Sequence, residues 1–479
     1  MTMGRADFLY QSFLKHFSNE PTVCQDRLFR TVADFAVSDE HDILVVNGYA
    51  GTGKTTAISS VINAFSELKV PTVLLAPTGR AAKVLSGFSG KKAYTVHKHI
   101  YRQKSVGDDG FGQFSLMPNK SKEALFVVDE VSLIGIEDPA RSGTMAFGTG
   151  NLLSDLIQFV RNGDNCRLIM IGDCAQLPPV GLEESPALSP GHMELYGGVR
   201  FETLTTVVRQ ASVSGILQNA TMLRNLIAES GPYSFVDNLQ FDLRDCTDIE
   251  RVSGAELIET LSDAYSRYGE DETIVLCRSN RRANRYNAGI RAQVLFRDEE
   301  LIRGERLMIV RNCYQFVDDA EGLDYIANGD IAVLESVRDH EERYGLHFAN
   351  ARLNFPDYDD VTVNAKICTD TLGSESASLS YEQQNQLFLG VSADYADCRS
   401  KRKRYSMVRE DPYYNALQIK YAEAITGHKS QGGQWKCVFI DNPFWQDELT
   451  TDDMKWMYTA LTRAVQKVYL VNFKDRFFL

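Results

Sequence analysis

A chain of 479 residues has room for two to four domains and more than one hydrophobic core. Its 44% apolar content is ordinary for a soluble globular protein, and no apolar run approaches the ~18 residues of a membrane-spanning helix, which counts against a chain that crosses a membrane by helices. The formal net charge of -13 excludes a surface evenly coated with nucleic acid, because phosphate binding needs local positive charge.

In chain order, Met1 to Phe17 mixes charged with apolar residues and does not read as a secretory leader. The nine cysteines are scattered without a Cys-x-x-Cys pair, which predicts reduced thiols in a cytoplasmic chain, with neither a zinc site nor a disulfide framework. Ile43 to Asn47 reads as a short buried strand. It runs into Gly48-Tyr49-Ala50-Gly51-Thr52-Gly53-Lys54-Thr55-Thr56 and then into a helical pattern carrying Ile58, Val61, Ile62 and Phe65. Strand, glycine-rich loop and helix start are the context in which Gly-x4-Gly-Lys-Thr binds a nucleoside triphosphate. Glycines let backbone N–H groups curl around phosphate oxygens, and the helix start adds the positive end of its dipole. Lys54 is expected to reach the β- and γ-phosphates, and the Thr55 hydroxyl to bind Mg²⁺.

Thr72 to Leu75 is the next strand and leads into Ala76-Pro77-Thr78-Gly79-Arg80-Ala81-Ala82. A polar, glycine-rich insertion follows at about 101–122, with Gly107, Gly110, Gly112, Phe111 and Phe114. Ala124 to Val128 is an apolar strand ending in Asp129-Glu130. Asp129 suits the Mg²⁺ hydration shell, and Glu130 the orientation or deprotonation of an attacking water. Arg167 to Ile171 is another strand, ending in Gly172-Asp173 and then Gln176, a neutral side chain suited to sensing a γ-phosphate. No Asn-Lys-x-Asp sequence is present, which counts against a GTPase.

Further strands are expected at Thr273 to Cys277, Lys436 to Asp441 and Lys467 to Phe473, making a second parallel sheet. Six arginines and no acid occupy Arg278 to Arg297, a basic helix face, and five of the six residues from Arg399 to Arg404 are basic. Short strand-like runs at Arg306 to Val310, Ile331 to Val337, Leu346 to Leu353 and Val361 to Ile367, with an Asn328-Gly329 turn, predict a small β-barrel. Residues 230–270 carry no chemical signal.

Two more downstream segments complete a set: Thr426-Gly427-His428-Lys429-Ser430-Gln431-Gly432 and Tyr458-Thr459-Ala460-Leu461-Thr462-Arg463-Ala464. From about Gln25 to Ala464 the ordered motifs resemble those of the RecD/Dda-type helicases of superfamily 1, the branch linked with 5′-to-3′ movement. The resemblance implies an α/β fold with two RecA-like P-loop motor domains, the first at 1–200 with a pin insertion at about 101–122. The second motor spans 201–300 and 421–479, and an SH3-like β domain is inserted at 301–420. It implies ATP held by Gln25 at the adenine, by Gly48, Gly51, Thr52, Gly53, Lys54, Thr55 and Thr56, and by Gly432, with Mg²⁺ on Thr55 and Asp129. Lys54, Asp129, Glu130, Gln176, Arg209 and Arg463 are its catalytic set, the two arginines meeting the γ-phosphate from the second motor. Pro77, Thr78, Arg80, His97, Asn280, His428, Lys429 and Ser430 are implied to touch the DNA strand. The partners implied are single-stranded DNA and duplex junctions, with the chain acting as a monomer and away from membranes. Two alternatives stand beside this reading: an RNA helicase of the same superfamily, and an ATP-switched nucleic-acid-binding module that does not unwind.

Overall fold

The computed structural model describes residues 4–103, 114–136, 148–208, 214–229, 235–236, 239–317, 323, 325–446 and 448–479. The chain opens with α1 (Arg5–Lys15) and α2 (Val23–Val37), then alternates β1 (Ile43–Gly48), α3 (Lys54–Glu67), β2 (Thr72–Ala76), α4 (Gly79–Ser89), β3 (Ala93–Thr95) and α5 (Val96–Ile100). A two-stranded antiparallel ribbon, β4 (Tyr101–Gln103) with β5 (Phe114–Leu116), precedes β6 (Leu125–Val128), α6 (Leu152–Arg161), β7 (Arg167–Gly172), α7 (Pro190–Met193) and β8 (Val199–Leu204). All strands but the ribbon form one parallel sheet in the order β3-β2-β6-β7-β1-β8. The near-continuous apolar runs of its central strands follow from burial on both faces. Leu44 and Val46 pack with Phe13, Leu28, Val61 and Phe65 from the first three helices, while Ile43 and Val45 pack with Leu156, Ile157 and Val160 of α6. The sheet ends on β8, whose Arg200 and Glu202 alternate with less polar neighbours, so it gave no clear strand signal.

The chain then forms α8 (Gly215–Glu229), β9 (Phe235–Val236), β10 (Ile249–Val252), α9 (Leu257–Tyr268), β11 (Thr273–Cys277) and α10 (Asn280–Gln293). A closed barrel interrupts it: β12 (Arg306–Ile309), β13 (Ile331–Arg343), β14 (Leu346–Phe355), β15 (Val361–Cys368) and β16 (Leu417–Tyr421). Neighbours are antiparallel except where β15 meets β16 in parallel to close the cylinder. Leu307, Leu334, Leu353, Phe355, Val363 and Ile419 fill it. Two helices, α11 (Tyr381–Asp394) and α12 (Lys401–Glu410), lie between β15 and β16, and the basic run at Arg399 to Arg404 falls at the start of α12. The chain returns through β17 (Ala424–Thr426), β18 (Trp435–Asp441), β19 (Leu449–Thr450), α13 (Thr451–Leu461) and β20 (Ala464–Val471). A second parallel sheet results, ordered β10-β20-β18-β11-β17. The described residues from 239 to 270 are therefore architectural, supplying an edge strand and a covering helix.

The barrel is rooted in the second lobe by buried charge. Arg291 donates to Glu305 at 2.9 Å, and Arg297 reaches Glu270 at 2.8 Å and Glu305 at 3.3 Å, with Glu305 wholly buried. Burial also pushes the neighbouring Glu423 carboxyl up to about 7. Removing one member of such a group leaves its partners charged and dry. Glu305→Ala should therefore lower stability by about 3–5 kcal/mol in urea denaturation. Lys92→Ala, which deletes only the exposed pair to Asp359, should cost less than ~1 kcal/mol.

Candidate functional site

The phosphate loop joins the carboxyl end of β1 to the first residue of α3. Gly51 and Gly53 sit at φ +73° and +70°, the left-handed region that favours glycine. A Cβ on Gly53 would stand 2.5 Å from Gln25 Nε2. Gln25 is buried in the first turn of α2, where its Oε1 accepts the Thr22 N–H at 2.9 Å as half of a capping box. Its Nε2 donates to the Thr52 carbonyl at 2.9 Å, so this side chain buttresses the loop from behind. Thr52 Oγ1 donates to Tyr49 O at 2.8 Å. Thr55 and Thr56 occupy the first turn of α3. The Lys54 ammonium folds back over the loop, donating to Gly48 O at 2.8 Å and Gly172 O at 3.5 Å.

Asp129 and Glu130 follow β6, next to β7 and two strands from β1. Burial and the neighbouring Glu130 carboxylate push Asp129 up to about 6, against the pull of Lys54. Glu130 has a left-handed backbone at φ +53°, and its Oε2 is buried without a hydrogen-bond partner among the described residues. A desolvated carboxylate pair with an orphan oxygen suits a hard divalent cation that keeps most of its ligands as water and phosphate oxygens. Asp173, after β7, is likewise raised by burial and lowered by Lys54. Gln176 is 5% exposed, and its Oε1 has no partner among the described residues.

The second lobe closes on these loops. Tyr458 of α13 donates its hydroxyl to Asp173 Oδ2 at 2.6 Å and accepts the Ala50 N–H at 2.9 Å. The Leu177 N–H donates to Thr459 Oγ1 at 2.8 Å, and Gln431 Nε2 donates to the Leu177 carbonyl at 2.6 Å. Ala175 and Leu177 join the apolar core of the second lobe, so the seam is dry as well as hydrogen-bonded. Arg463 is 3% exposed, and its guanidinium is spent within its own lobe, on Thr459 O, Gly433 O and Thr462 Oγ1. The direct bond from this helix to the phosphate loop comes instead from Tyr458. It sits in the same sequence motif, but attention to permanent charge passed over it. Arg209 lies outside the described residues, as do Gly107, Gly110, Phe111 and Gly112.

The remaining residues gather where α4, the barrel and the Gly427–Ser430 turn meet. Thr78 follows Pro77 and caps α4, accepting the Ala81 N–H at 3.2 Å. A Cβ on Gly79 would stand 2.3 Å from the Tyr358 hydroxyl of the barrel, which explains the glycine. Arg80 lies over the Trp435 ring at 4.0 Å and donates to Gln434 O at 3.2 Å, linking the two lobes. Gly432, expected at the nucleotide, packs here: a Cβ on it would meet Thr78 Oγ1 at 3.1 Å. Lys429 is pushed down to about 8 by burial and donates to Asn328 of the barrel. Ser430 is buried and donates to Gly427 O at 2.7 Å, whereas His428 is exposed. His97 opens α5 beside Tyr101 and Tyr325, and burial lowers it to about 4, so it is neutral at pH 7. Asn280 starts α10; Arg278, just before it, pairs with Asp452 and Asp453, and within it Arg281 pairs with Glu375 and Arg282 with Asp441. The expected basic face is thus largely neutralised by acids distant in sequence.

Asp330 in this junction accepts the Tyr358 hydroxyl at 3.0 Å, and burial raises its carboxyl to about 7. An unfolded aspartate titrates near ~3.9. Between these values the folded chain holds a proton that the unfolded chain releases, so the contribution to stability is lost as pH rises from about 4 through 7. Asp129 and Glu423 act in the same direction. The expected outcome is therefore a difference: melting curves of Asp330→Asn between pH 5 and 8 should slope less with pH than those of the parent.

Comparison with known proteins places one match on each lobe: the AAA domain family model over residues 29–230 and the UvrD-like helicase C-terminal domain over 421–471. The ATP-dependent RecD2 DNA helicase of Deinococcus radiodurans is 34% identical over 182 residues, 38% of this chain and 21% of that protein. The ATP-dependent DNA helicase dda of Enterobacteria phage T4 is 24% identical over 458 residues, 91% of this chain and 96% of that one. The chain thus spans a fifth of the first relative and nearly the whole of the second. Pif1 helicase from Bacteroides, in complex with ADP-AlF3 and ssDNA, aligns at a TM-score of 0.45 and 16% identity, over 96% of this chain and 95% of that one. The ordered motifs, the phosphate loop clasped by two parallel-sheet lobes, and the family-model and sequence matches together support the resemblance of this chain to the RecD/Dda-type helicases of superfamily 1.

Proposed function

We propose that the chain is an ATP-dependent DNA helicase that moves 5′-to-3′ along single-stranded DNA and parts the duplex at junctions. The observation that carries this reading is the seam itself: the phosphate loop and the Asp173–Leu177 loop of one lobe are hydrogen-bonded to α13 and Gln431 of the other. Hydrolysis confined to such a seam depends on how the lobes meet, which is what coupling to movement requires. The direction rests on the likeness to RecD/Dda-type relatives.

In this reading the backbone from Gly48 to Thr56 cradles the phosphates, and Lys54 leaves the Gly48 carbonyl for the β- and γ-phosphates. Thr55 and Asp129 hold Mg²⁺, which supplies charge neutralisation on the phosphates when bound. Glu130, whose Oε2 is free of protein partners among the described residues, orients the attacking water, and Gln176 senses the γ-phosphate. Gln25 reads adenine from the same position in which it braces Thr52. Arg463 reaches the γ-phosphate by exchanging its bonds to Thr459 and Gly433, joined by Arg209; a guanidinium delivered this way is worth roughly 10³–10⁵ in rate. Thr78, Arg80, His97, Asn280, His428 and Lys429 line the path of the strand, and Ser430, buried with its hydroxyl on Gly427 O, holds the turn that presents His428 and Lys429. The β4–β5 ribbon serves as the duplex-splitting pin, braced by the SH3-like barrel through Phe114 against Tyr314, ring centroids 5.0 Å apart.

Lys54→Ala should abolish ATP hydrolysis while leaving single-strand affinity within about 2-fold of the parent, measured by turnover and fluorescence anisotropy. Equal turnover with and without single-stranded DNA would sink the motor reading. Duplexes bearing a 5′ or a 3′ single-stranded tail should be unwound with a preference for the 5′ tail. Stimulation by RNA oligomers in place of DNA would redirect the assignment to an RNA helicase.

A further inference from the structure

Tyr458 is 1% exposed, as is the carboxylate it bonds, and both capacities of its phenol are used across the seam. Its proton goes to Asp173 Oδ2 and its lone pair to the Ala50 N–H. Asp173 Oδ1 accepts the Ala175 N–H at 3.0 Å, and the Gln176 N–H returns to the Asp173 carbonyl at 3.2 Å. Asp173 also lies within electrostatic reach of Lys54 and Glu130. The loop carrying Gln176 is therefore fastened at Asp173 by Tyr458 and at Leu177 by Thr459 and Gln431, and every fastener belongs to the second lobe.

We propose that Tyr458 is a positioning residue for hydrolysis: by joining the Ala50 N–H to the Asp173 carboxylate, it sets the spacing between the phosphate loop and the loop that carries Gln176. The proposal rests on the ATPase reading above and deepens it. The hydroxyl reaches the chemistry through Asp173 and Ala50. Opening the seam by a hydroxyl's width breaks both bonds together, leaving a buried carboxylate oxygen and a buried N–H unsatisfied, so the two loops hold their register only while the lobes are closed.

Tyr458→Phe keeps the ring and removes only the oxygen. Because a misplacement of about 1 Å in a reacting geometry costs roughly 100-fold in rate, kcat in the presence of single-stranded DNA should fall by about 10- to 100-fold. KM for ATP and single-strand affinity should stay close to the parent, while the melting temperature falls, because Asp173 Oδ2 and the Ala50 N–H are left buried and unsatisfied. Thr459→Val, which frees the Leu177 end of the same loop, should lower kcat in the same direction, and the double variant should lose less than the product of the two. A kcat within about 2-fold of the parent, a rise in KM alone, or fully multiplicative losses would each overturn the proposal. Amide hydrogen exchange gives a readout that needs no turnover: Ala50 and Ala175 should lose protection together in Tyr458→Phe, and unchanged protection would overturn it as well. A parent chain without DNA-stimulated turnover would sink the helicase reading alone, since exchange would still decide whether Tyr458 couples the loops.

Discussion

One ammonium and three carboxylates share the carboxyl ends of neighbouring strands, and the molecule is arranged around keeping them there. Lys54 is drawn back over Gly48 and Gly172, while Asp129, Glu130 and Asp173 stand around it with little water. In a low-dielectric pocket each charge needs the others, and Asp129 and Asp173 still bear a desolvation penalty that Lys54 only partly offsets. The backbone is bent to maintain this arrangement. Gly51 and Gly53 take left-handed conformations at no steric cost, and Glu130 takes one as a non-glycine residue. A nucleotide and its cation would meet carboxylates already in place, and Lys54 would have only the Gly48 and Gly172 carbonyls to leave.

The seam and the barrel both join the two lobes around that pocket. α13 bonds the phosphate loop and the Asp173–Leu177 loop on one side, while Arg80 lies on Trp435 on the other. The barrel is inserted in the second lobe, yet its Pro356–Asp360 turn reaches the first. Lys83 donates to Pro356 O at 2.7 Å and pairs with Asp357, and Tyr358 sits against Gly79. α4 is therefore touched by two parts of the second lobe at once. Any change in the angle between the sheets must slide α4 against the barrel turn or against Trp435.

Much of this was legible in the sequence. Buried strands of parallel sheets announce themselves as short apolar runs, and β1, β2, β6, β7, β11 and β18 did so. The edge strands β8, β10 and β17 are short or mixed with charge, and only pairing with a neighbour makes them strands. The barrel was visible through alternation, whereas α11 and α12 were not, since α12 is dominated by basic residues and offers Val408 as its fully buried apolar contact. The arginines from Arg278 to Arg297 looked like a basic surface because counting charge along the chain cannot see Asp441, Asp452 or Glu305 folding onto them. Thr22-Val23-Cys24-Gln25 forms a capping box, but the family resemblance pointed Gln25 only at adenine, and its brace to Thr52 emerges with the fold. Arg463 and Tyr458 illustrate the opposite limit. Both lie in one motif, but which of them spans the seam is a matter of side-chain reach that no spacing encodes.

The three tryptophans of the chain, Trp435, Trp445 and Trp456, all lie in the last tenth of its length, and the first sheet has none. Trp445 is open to solvent, while Trp435 and Trp456 are sealed, the former beneath a guanidinium contributed by the opposite half. Indole emission is sensitive to polarity and to a stacked cation, so withdrawing Arg80 changes the light from Trp435 against the background emission of Trp445 and Trp456. The protein is thus fitted with an intrinsic optical gauge of its own opening, readable without attaching a dye.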